Sequence, residues 1–182
     1  LAADYLDALP GLSPVNATLI GDHRQDDRLD QVNRVARENR RDTYLEFRSR
    51  LGKLDWDTLS RANQIDADLL MLDVESSLWA LETFAEWAWN PMMYVNLAGS
   101  SIYGLMARDF APIATRLEDA SARLEQLPRF FKQSRSAIDP ARVPKIHAET
   151  AIQQNPGLNS IIDTMVMPNL GALAPPARAR LE

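Results

Sequence analysis

Two histidines are the first residues to consider for catalytic or metal chemistry. His23 and His147 are the only ones in the 182-residue sequence, which contains no cysteine. Zinc proteases place two histidines four positions apart on one helix face, with a glutamate beside the first. Because His23 and His147 lie in opposite halves of the sequence, they cannot form that motif. The lack of thiols also excludes disulfides, zinc–thiolate sites and cysteine nucleophiles.

His23 lies in a polar segment with three aspartates, Asp22, Asp26 and Asp27. An imidazole and several carboxylates close in sequence could bind a metal ion. However, aspartates are also typical of turns and helix caps, and the neighbouring Arg24 can neutralise them. We therefore interpret this segment as a structural loop.

The other acidic and histidine patterns are equally unspecific. His147 and Glu149 resemble the His-x-Glu of nucleobase deaminases, but the cysteine ligands of those enzymes are missing. On a helix these two side chains would point about 200° apart, so we interpret His147 as structural. Glu82 and Glu86 share a helix face without an evident partner, and we expect both to be solvated. The sequence predicts no catalytic, cofactor-binding or metal-binding residue in this chain, and no cofactor bound by it.

The longest helical pattern follows Ser60 and continues to about Ala88, without proline or glycine. Ser60 is a suitable N-cap, and Asn90-Pro91 would end the helix. The apolar residues form two faces, one with Ile65, Leu69, Leu72, Trp79, Ala80 and Trp87, the other with Leu70, Val74, Leu78, Leu81, Ala85 and Ala88. Since such a helix is typically packed on both sides, we predict a buried central helix over about residues 60–88. The alternative is a long surface helix.

Prolines, glycines and capping residues divide the rest of the chain into shorter helices. The predicted ones are Pro14 to Ile20, Asp30 (as N-cap) to Leu51, Met92 to Arg108, Pro112 to Gln126 with Pro128 as a kink or a new start, and a last one from Lys145 or His147. In the second of these helices, the run from Arg37 to Asp42 mixes both charges and is most simply a solvated face. No alternating strand pattern or hairpin signal occurs. The sequence therefore predicts an all-α fold of about seven helices packed around the central helix.

Residues 87–107 carry no charge and are numerous enough to span a bilayer. Polar and small residues dilute this stretch, and no aromatic or basic belt flanks it, so we predict a buried helix instead. Four aromatic residues in or near it, Trp87, Trp89, Tyr94 and Tyr103, could line a ligand pocket. Their helical spacing is more typical of a core.

Composition limits the partners. Hydrophobic residues make up 46% of the chain, as in ordinary globular proteins, and the net charge is −5. A negative chain has no field that attracts nucleic acid or an anionic membrane, so we expect neither partner. We expect residues 1–182 to form a single helical domain or an N-terminal fragment of a larger one. The absence of an initiator Met and the helix start at Pro175-Pro176, close to the end, favour the fragment.

Five short motifs occur in an order and spacing that resemble the bacterial family catalogued as domain of unknown function 885. They are Gly21-Asp22-His23-Arg24, Trp89-Asn90-Pro91-Met92-Met93-Tyr94, Ala107-Arg108-Asp109-Phe110-Ala111-Pro112, Arg123-Leu124-Glu125-Gln126-Leu127-Pro128, and Glu149-Thr150-Ala151-Ile152 followed by Pro156-Gly157. The resemblance implies the N-terminal portion of a larger helical protein similar to zinc metallopeptidases with a deep cleft. Their His-Glu motif lies further along and is absent here, so no zinc ligand can be assigned to this sequence.

Two functions follow. In the first, the chain is the N-terminal helical part of a bacterial zinc-dependent peptidase or related hydrolase. It would pack on the C-terminal half and form a wall of a cleft for a peptide-like substrate. In the second, it is a stand-alone helical binding or scaffolding module without catalysis.

Overall fold

The computed structural model describes residues 1–179 and 181, and these residues form helices joined by short turns. The α-helices are α1 (Ala2–Leu12), α2 (Pro14–Ile20), α3 (Arg34–Leu51), α4 (Arg61–Trp79), α5 (Pro91–Met106), α6 (Ile113–Ala137), α7 (Lys145–Gln154), α8 (Pro156–Ile161) and α9 (Pro175–Arg178). Two π-helical turns cover Ala80–Phe84 and Ile162–Val166, and 3₁₀ turns cover Trp56–Thr58, Glu86–Ala88, Pro140–Arg142 and Met167–Ala172. The part of the chain described contains no strand, which confirms the all-α prediction.

Capping residues begin and end several helices where the sequence predicts. The Ser13 hydroxyl accepts a hydrogen bond of 3.4 Å from the Asn16 amide at the start of α2. Gly21 ends that helix with φ 94°, a conformation that favours glycine. At the start of α4, the Ser60 hydroxyl accepts a hydrogen bond of 3.2 Å from the Asn63 amide. These local interactions satisfy backbone groups that helix ends leave without partners.

Helix α5 lies at the centre of the fold. It contacts α2, α6, α7 and α8, and its buried residues are Tyr94, Ala98, Ser101, Ile102, Gly104, Leu105 and Met106. A Cβ at Gly104 would lie 3.1 Å from Cδ2 of Leu19, so glycine lets α2 pack closely there. The prediction of a buried helix over about Met92 to Arg108 is confirmed. Among the described helices, none is both long and apolar enough to cross a membrane.

The predicted central helix over residues 60–88 is not one helix. Helix α4 ends at Trp79, and the π-helical turn follows it directly. Ala85 then has φ 48° and ψ 45°, a left-handed conformation that ends the helical path. The prediction of a single helix was wrong because no proline or glycine marks this change of direction.

Helix α4 is also not buried on both faces. Val74 and Leu78 are 0% and 4% exposed and share a core cluster with Phe47 and Leu51 of α3. The opposite face is largely in solvent, with exposures of 45% for Ile65, 60% for Leu69, 63% for Leu72 and 56% for Trp79. We call these four residues the α4 stripe. The structure thus matches the surface-helix alternative, and α5 takes the central position.

Two further boundaries differ from the predictions. Asn33, not Asp30, caps α3, and its side chain accepts a hydrogen bond of 2.8 Å from the Ala36 amide. Asp30 is buried instead and accepts hydrogen bonds from the Ser13 hydroxyl and the Val15 amide. Helix α6 continues through Pro128 to Ala137. Pro128 is exposed, so water can solvate the carbonyl that loses its amide partner.

Candidate functional site

A pocket of about 240 Å³ lies between α3 and the segment that joins α4 to α5. Helix α3 contributes Arg37, Arg40 and Tyr44, and the joining segment contributes Phe84 and Trp87. Tyr94 and Met93 of α5 complete an apolar wall. We call this space the π-turn pocket, because the π-helical turn Ala80–Phe84 forms one side of it.

Aromatic side chains hold the irregular backbone of this pocket in place. The Trp87 indole donates a hydrogen bond of 2.9 Å to the Leu81 carbonyl. The Tyr94 hydroxyl donates a hydrogen bond of 2.6 Å to the Trp87 carbonyl, and the Trp89 indole donates one of 3.0 Å to the Phe84 carbonyl. A π-turn next to a left-handed non-glycine residue, Ala85, is an energetically costly backbone. Such conformations cluster at functional sites, which makes this pocket the first candidate.

Arg37 is the main polar group of the pocket. Its guanidinium carbon lies 3.9 Å from the centre of the Trp87 ring, and its Nη1 donates a hydrogen bond of 2.8 Å to the Val32 carbonyl. Burial lowers the pKa of Arg37, but a guanidinium remains protonated at neutral pH. No carboxylate of the described residues forms an ion pair with it. The pocket thus contains a half-buried cation without a counter-ion.

The other two charged groups at the pocket also form hydrogen bonds, Arg40 to a backbone carbonyl and Glu86 to a side chain. Arg40 donates 2.6 Å to the Leu12 carbonyl. Glu86 accepts a hydrogen bond of 2.5 Å from the side-chain amide of Asn90. Glu82, which lies outside the pocket, forms an ion pair with Arg41. The prediction that Glu82 and Glu86 have no partners was therefore wrong. Two guanidiniums and one carboxylate give the pocket lining a net charge of +1.

The His23 segment is attached to the helices that surround it. Nδ1 of His23 lies 2.8 Å from Asp26, and its ring stacks on Phe110 at 3.7 Å between centres. Asp26 also accepts a hydrogen bond of 2.5 Å from the Thr18 hydroxyl, and it lies 3.8 Å from the guanidinium of buried Arg123. Within the described part of the chain, no group of three or more His, Cys, Asp or Glu could hold a metal ion. The contacts fix this loop to α2 and α6.

His147 and Glu149 make separate contacts. The His147 ring lies 5.4 Å from the Trp89 ring, and its buried Nδ1 has no hydrogen-bond partner among the described residues. Glu149 lies 3.6 Å from Lys145, one helical turn away. The structure does not bring these two residues together with His23.

Of the four aromatic residues weighed as pocket residues, Trp87 and Tyr94 line the π-turn pocket. Tyr103 is 53% exposed, and Trp89 packs edge-to-face on Phe84. The sequence interpretation missed Arg37, which lies in a mixed-charge run expected to be solvated. The available signal was its helical neighbours at three and four positions, Asn33, Arg34, Arg40 and Arg41, since none is a carboxylate.

Comparison with known proteins identifies a family and a fold. The family model described as bacterial protein of unknown function (DUF885) matches residues 14–180. A solved structure from Shewanella oneidensis, described as a "putative lipoprotein of unknown function", superposes with a TM-score of 0.90 at 25% sequence identity. The match covers 98% of this chain but 32% of that protein, so the chain spans about a third of its structural relative. No functionally curated protein matches the chain.

Proposed function

Because this chain belongs to the bacterial family of unknown function DUF885, we propose that it is the N-terminal helical part of a zinc-dependent peptidase or related hydrolase. In this role it forms one wall of a cleft for a peptide-like substrate, and the catalytic motif lies outside the chain. The link to zinc and to hydrolysis comes from the resemblance of the five motifs alone.

The α4 stripe carries the proposal of a wall. Contiguous apolar surface on a soluble protein typically marks an interface or a binding groove, and all four residues of the stripe are 45% exposed or more. The structural relative contains about twice as much further chain as the part that matches. The remainder of a longer polypeptide is therefore the partner that best suits this face.

Zinc does not fit the residues described. A zinc site needs three or four His, Cys, Asp or Glu ligands around one point, and the described residues contain no such group. We therefore assign no step of hydrolysis to a side chain of this chain. Its own contribution is to support the cleft and to exclude water from the face that α4 presents.

Metal analysis of the full-length protein tests the proposal. We expect about one zinc per molecule, and hydrolysis of model peptides that 1,10-phenanthroline removes and added zinc restores. His23→Ala and His147→Ala are the internal controls, and both should retain the zinc content. Absence of zinc and of hydrolysis would overturn the proposal, as would loss of zinc in either variant.

The π-turn pocket favours the second function, a helical binding module without catalysis. The residues that line this pocket all belong to this chain, so ligand binding there needs no catalytic partner. Ligand binding by a full-length protein that hydrolyses no peptide would identify this second function as the correct one.

A further inference from the structure

Among the partly or fully buried arginines of the described residues, Arg37, Arg116 and Arg123 differ in their partners. Arg116 lies 2.8 Å from Asp109, and Arg123 lies 3.8 Å from Asp26. Half-buried Arg37 donates to the Val32 carbonyl and lies over the Trp87 ring, and none of the described carboxylates forms an ion pair with it. Since buried charges are usually paired, Arg37 lacks the partner that the other two have.

The hydrogen-bonding capacity of Arg37 is largely unused. A guanidinium carries five N–H donors, and one of its nitrogens, Nη1, donates to a described protein acceptor. The contact with the Trp87 ring and the hydrogen bond to the Val32 carbonyl restrain the group, so less side-chain freedom is lost on binding. A planar, oriented guanidinium with free donors matches the two oxygens of a carboxylate.

The remainder of the pocket selects an apolar ligand body. Apolar and aromatic residues supply most of the lining, among them Leu81, Phe84, Trp87, Met93 and Tyr94. Burial raises the pKa of Tyr94 to about 12, so its hydroxyl is neutral at physiological pH. A volume of about 240 Å³ accommodates one aromatic or branched side chain with its acid group, and is smaller than pockets for drug-sized ligands.

We propose that the π-turn pocket binds the carboxylate of a small apolar or aromatic acid through Arg37, with the apolar body against Trp87 and Tyr94. Glu86 in the lining repels any anion, and it repels a dianion such as phosphate more strongly than a singly charged carboxylate. The same chemistry occurs in a free acid and in the C-terminal residue of a peptide. The inference does not depend on zinc or on hydrolysis.

Paired ligands test the carboxylate requirement on the full-length protein. In isothermal titration calorimetry, 3-phenylpropanoate should bind, and 3-phenylpropanamide should bind at least tenfold more weakly. The peptide Ala-Ala-Phe and its C-terminal amide separate the two sources, because only a site that accepts peptide ends will prefer the free peptide acid. Inorganic phosphate should not compete with 3-phenylpropanoate.

Arg37→Gln should remove the preference for the acid over the amide. Arg48→Gln is the matched control, since it deletes the same charge from an exposed position on α3 outside the pocket, and it should bind as the unmodified protein does. Equal affinity for acid and amide, no binding of either, or full binding by a folded Arg37→Gln variant would each overturn the proposal. If Arg37→Gln does not fold, the ligand pairs on the unmodified protein still decide it.

Discussion

Arg123 joins three elements through one buried side chain. It is 0% exposed, and its guanidinium donates hydrogen bonds of 2.8 Å to the Ser101 carbonyl of α5 and of 2.6 Å to the Thr18 hydroxyl of α2. Asp26 of the intervening loop lies 3.8 Å away. Burial lowers the pKa of Arg123, and the charge of Asp26 opposes that change. The side chain therefore ties the loop, α2 and α5 to α6.

Replacing this residue should be strongly destabilising. Arg123→Met leaves the buried Asp26 without its counter-charge, which typically costs about 3–5 kcal/mol. Urea unfolding followed by circular dichroism would measure the change, with Arg48→Met at an exposed site expected within about 0.5 kcal/mol of the parent. A loss below about 1 kcal/mol for Arg123→Met would show that the network contributes little.

Asp119 gives a pH dependence of known sign. Burial, with repulsion from Asp26 and Asp27, raises its pKa to about 6. Between these two values the folded state keeps a proton that the unfolded state, with the ordinary pKa of 3.8, has released. Keeping this proton favours the folded state, and the advantage is lost as the pH rises from about 4 through 6.

Asp119→Asn should consequently stabilise the protein at pH 7–8, by about 1 kcal/mol after allowance for solvent screening. The advantage should shrink towards pH 4, where the native carboxyl is protonated. Urea unfolding between pH 4 and 8 would show it, with Glu118→Gln on the exposed side of α6 as the control for charge removal. A gain that grows at low pH would contradict the assignment.

At the candidate site, residue types were easier to predict than their environment. The sequence favoured a core position for Trp87 and Tyr94, with a pocket as the alternative. Tyr94 is 3% exposed in a core cluster that Trp87 packs against, and both residues also line the pocket. Arg37 was assigned to a solvated face, because a mixed-charge run usually is one. Its burial depends on the backbone turn at Ala85, which brings Trp87 over α3 and which no local pattern indicates.

At the scale of elements, local signals predicted most helices and failed where tertiary structure decides. Ser13-Pro14, Gly21 and Ser60 act through their own backbone neighbours, so their positions follow from sequence. The end of α4 does not, since an alanine in left-handed conformation has no sequence mark. The two apolar faces predicted for this helix exist, but Ile65, Leu69 and Leu72 of the second face are largely exposed.

The two faces of α4 can be compared with one type of substitution. Leu78→Ala empties a site that is 4% exposed and should cost about 2–4 kcal/mol, whereas Leu72→Ala at 63% exposure should cost less than about 0.5 kcal/mol. Trp79→Ala, expected to cost about 3–5 kcal/mol for a buried residue, should instead lose little more than its stacking on Phe84, about 1 kcal/mol. Urea unfolding of the chain measures all three. Equal losses for the two leucines would show that α4 has no preferred face.

At the scale of the whole molecule, the core is packed by residues of this chain, whereas the α4 stripe is exposed. The buried clusters around α5 and between α3 and α4 are filled by residues of this chain. The stripe is the part of the predicted central helix that those residues leave uncovered. Packing of further polypeptide on the stripe, as proposed above, would account for both the apolar pattern and the exposures.

This view predicts opposite behaviour of one variant in two contexts. In the isolated chain, Leu69→Glu combined with Leu72→Glu should leave the free energy of unfolding within about 1 kcal/mol, because both sites are solvated. It should also weaken any concentration-dependent self-association of the chain in sedimentation, since the stripe is an exposed apolar face. In the full-length protein the same pair should cost several kcal/mol, because two carboxylates would be buried without partners. Asp66→Asn with Asp68→Asn, at exposed positions of the same helix, is the control. Tolerance of the leucine changes in both contexts would show that the remainder of the polypeptide packs elsewhere.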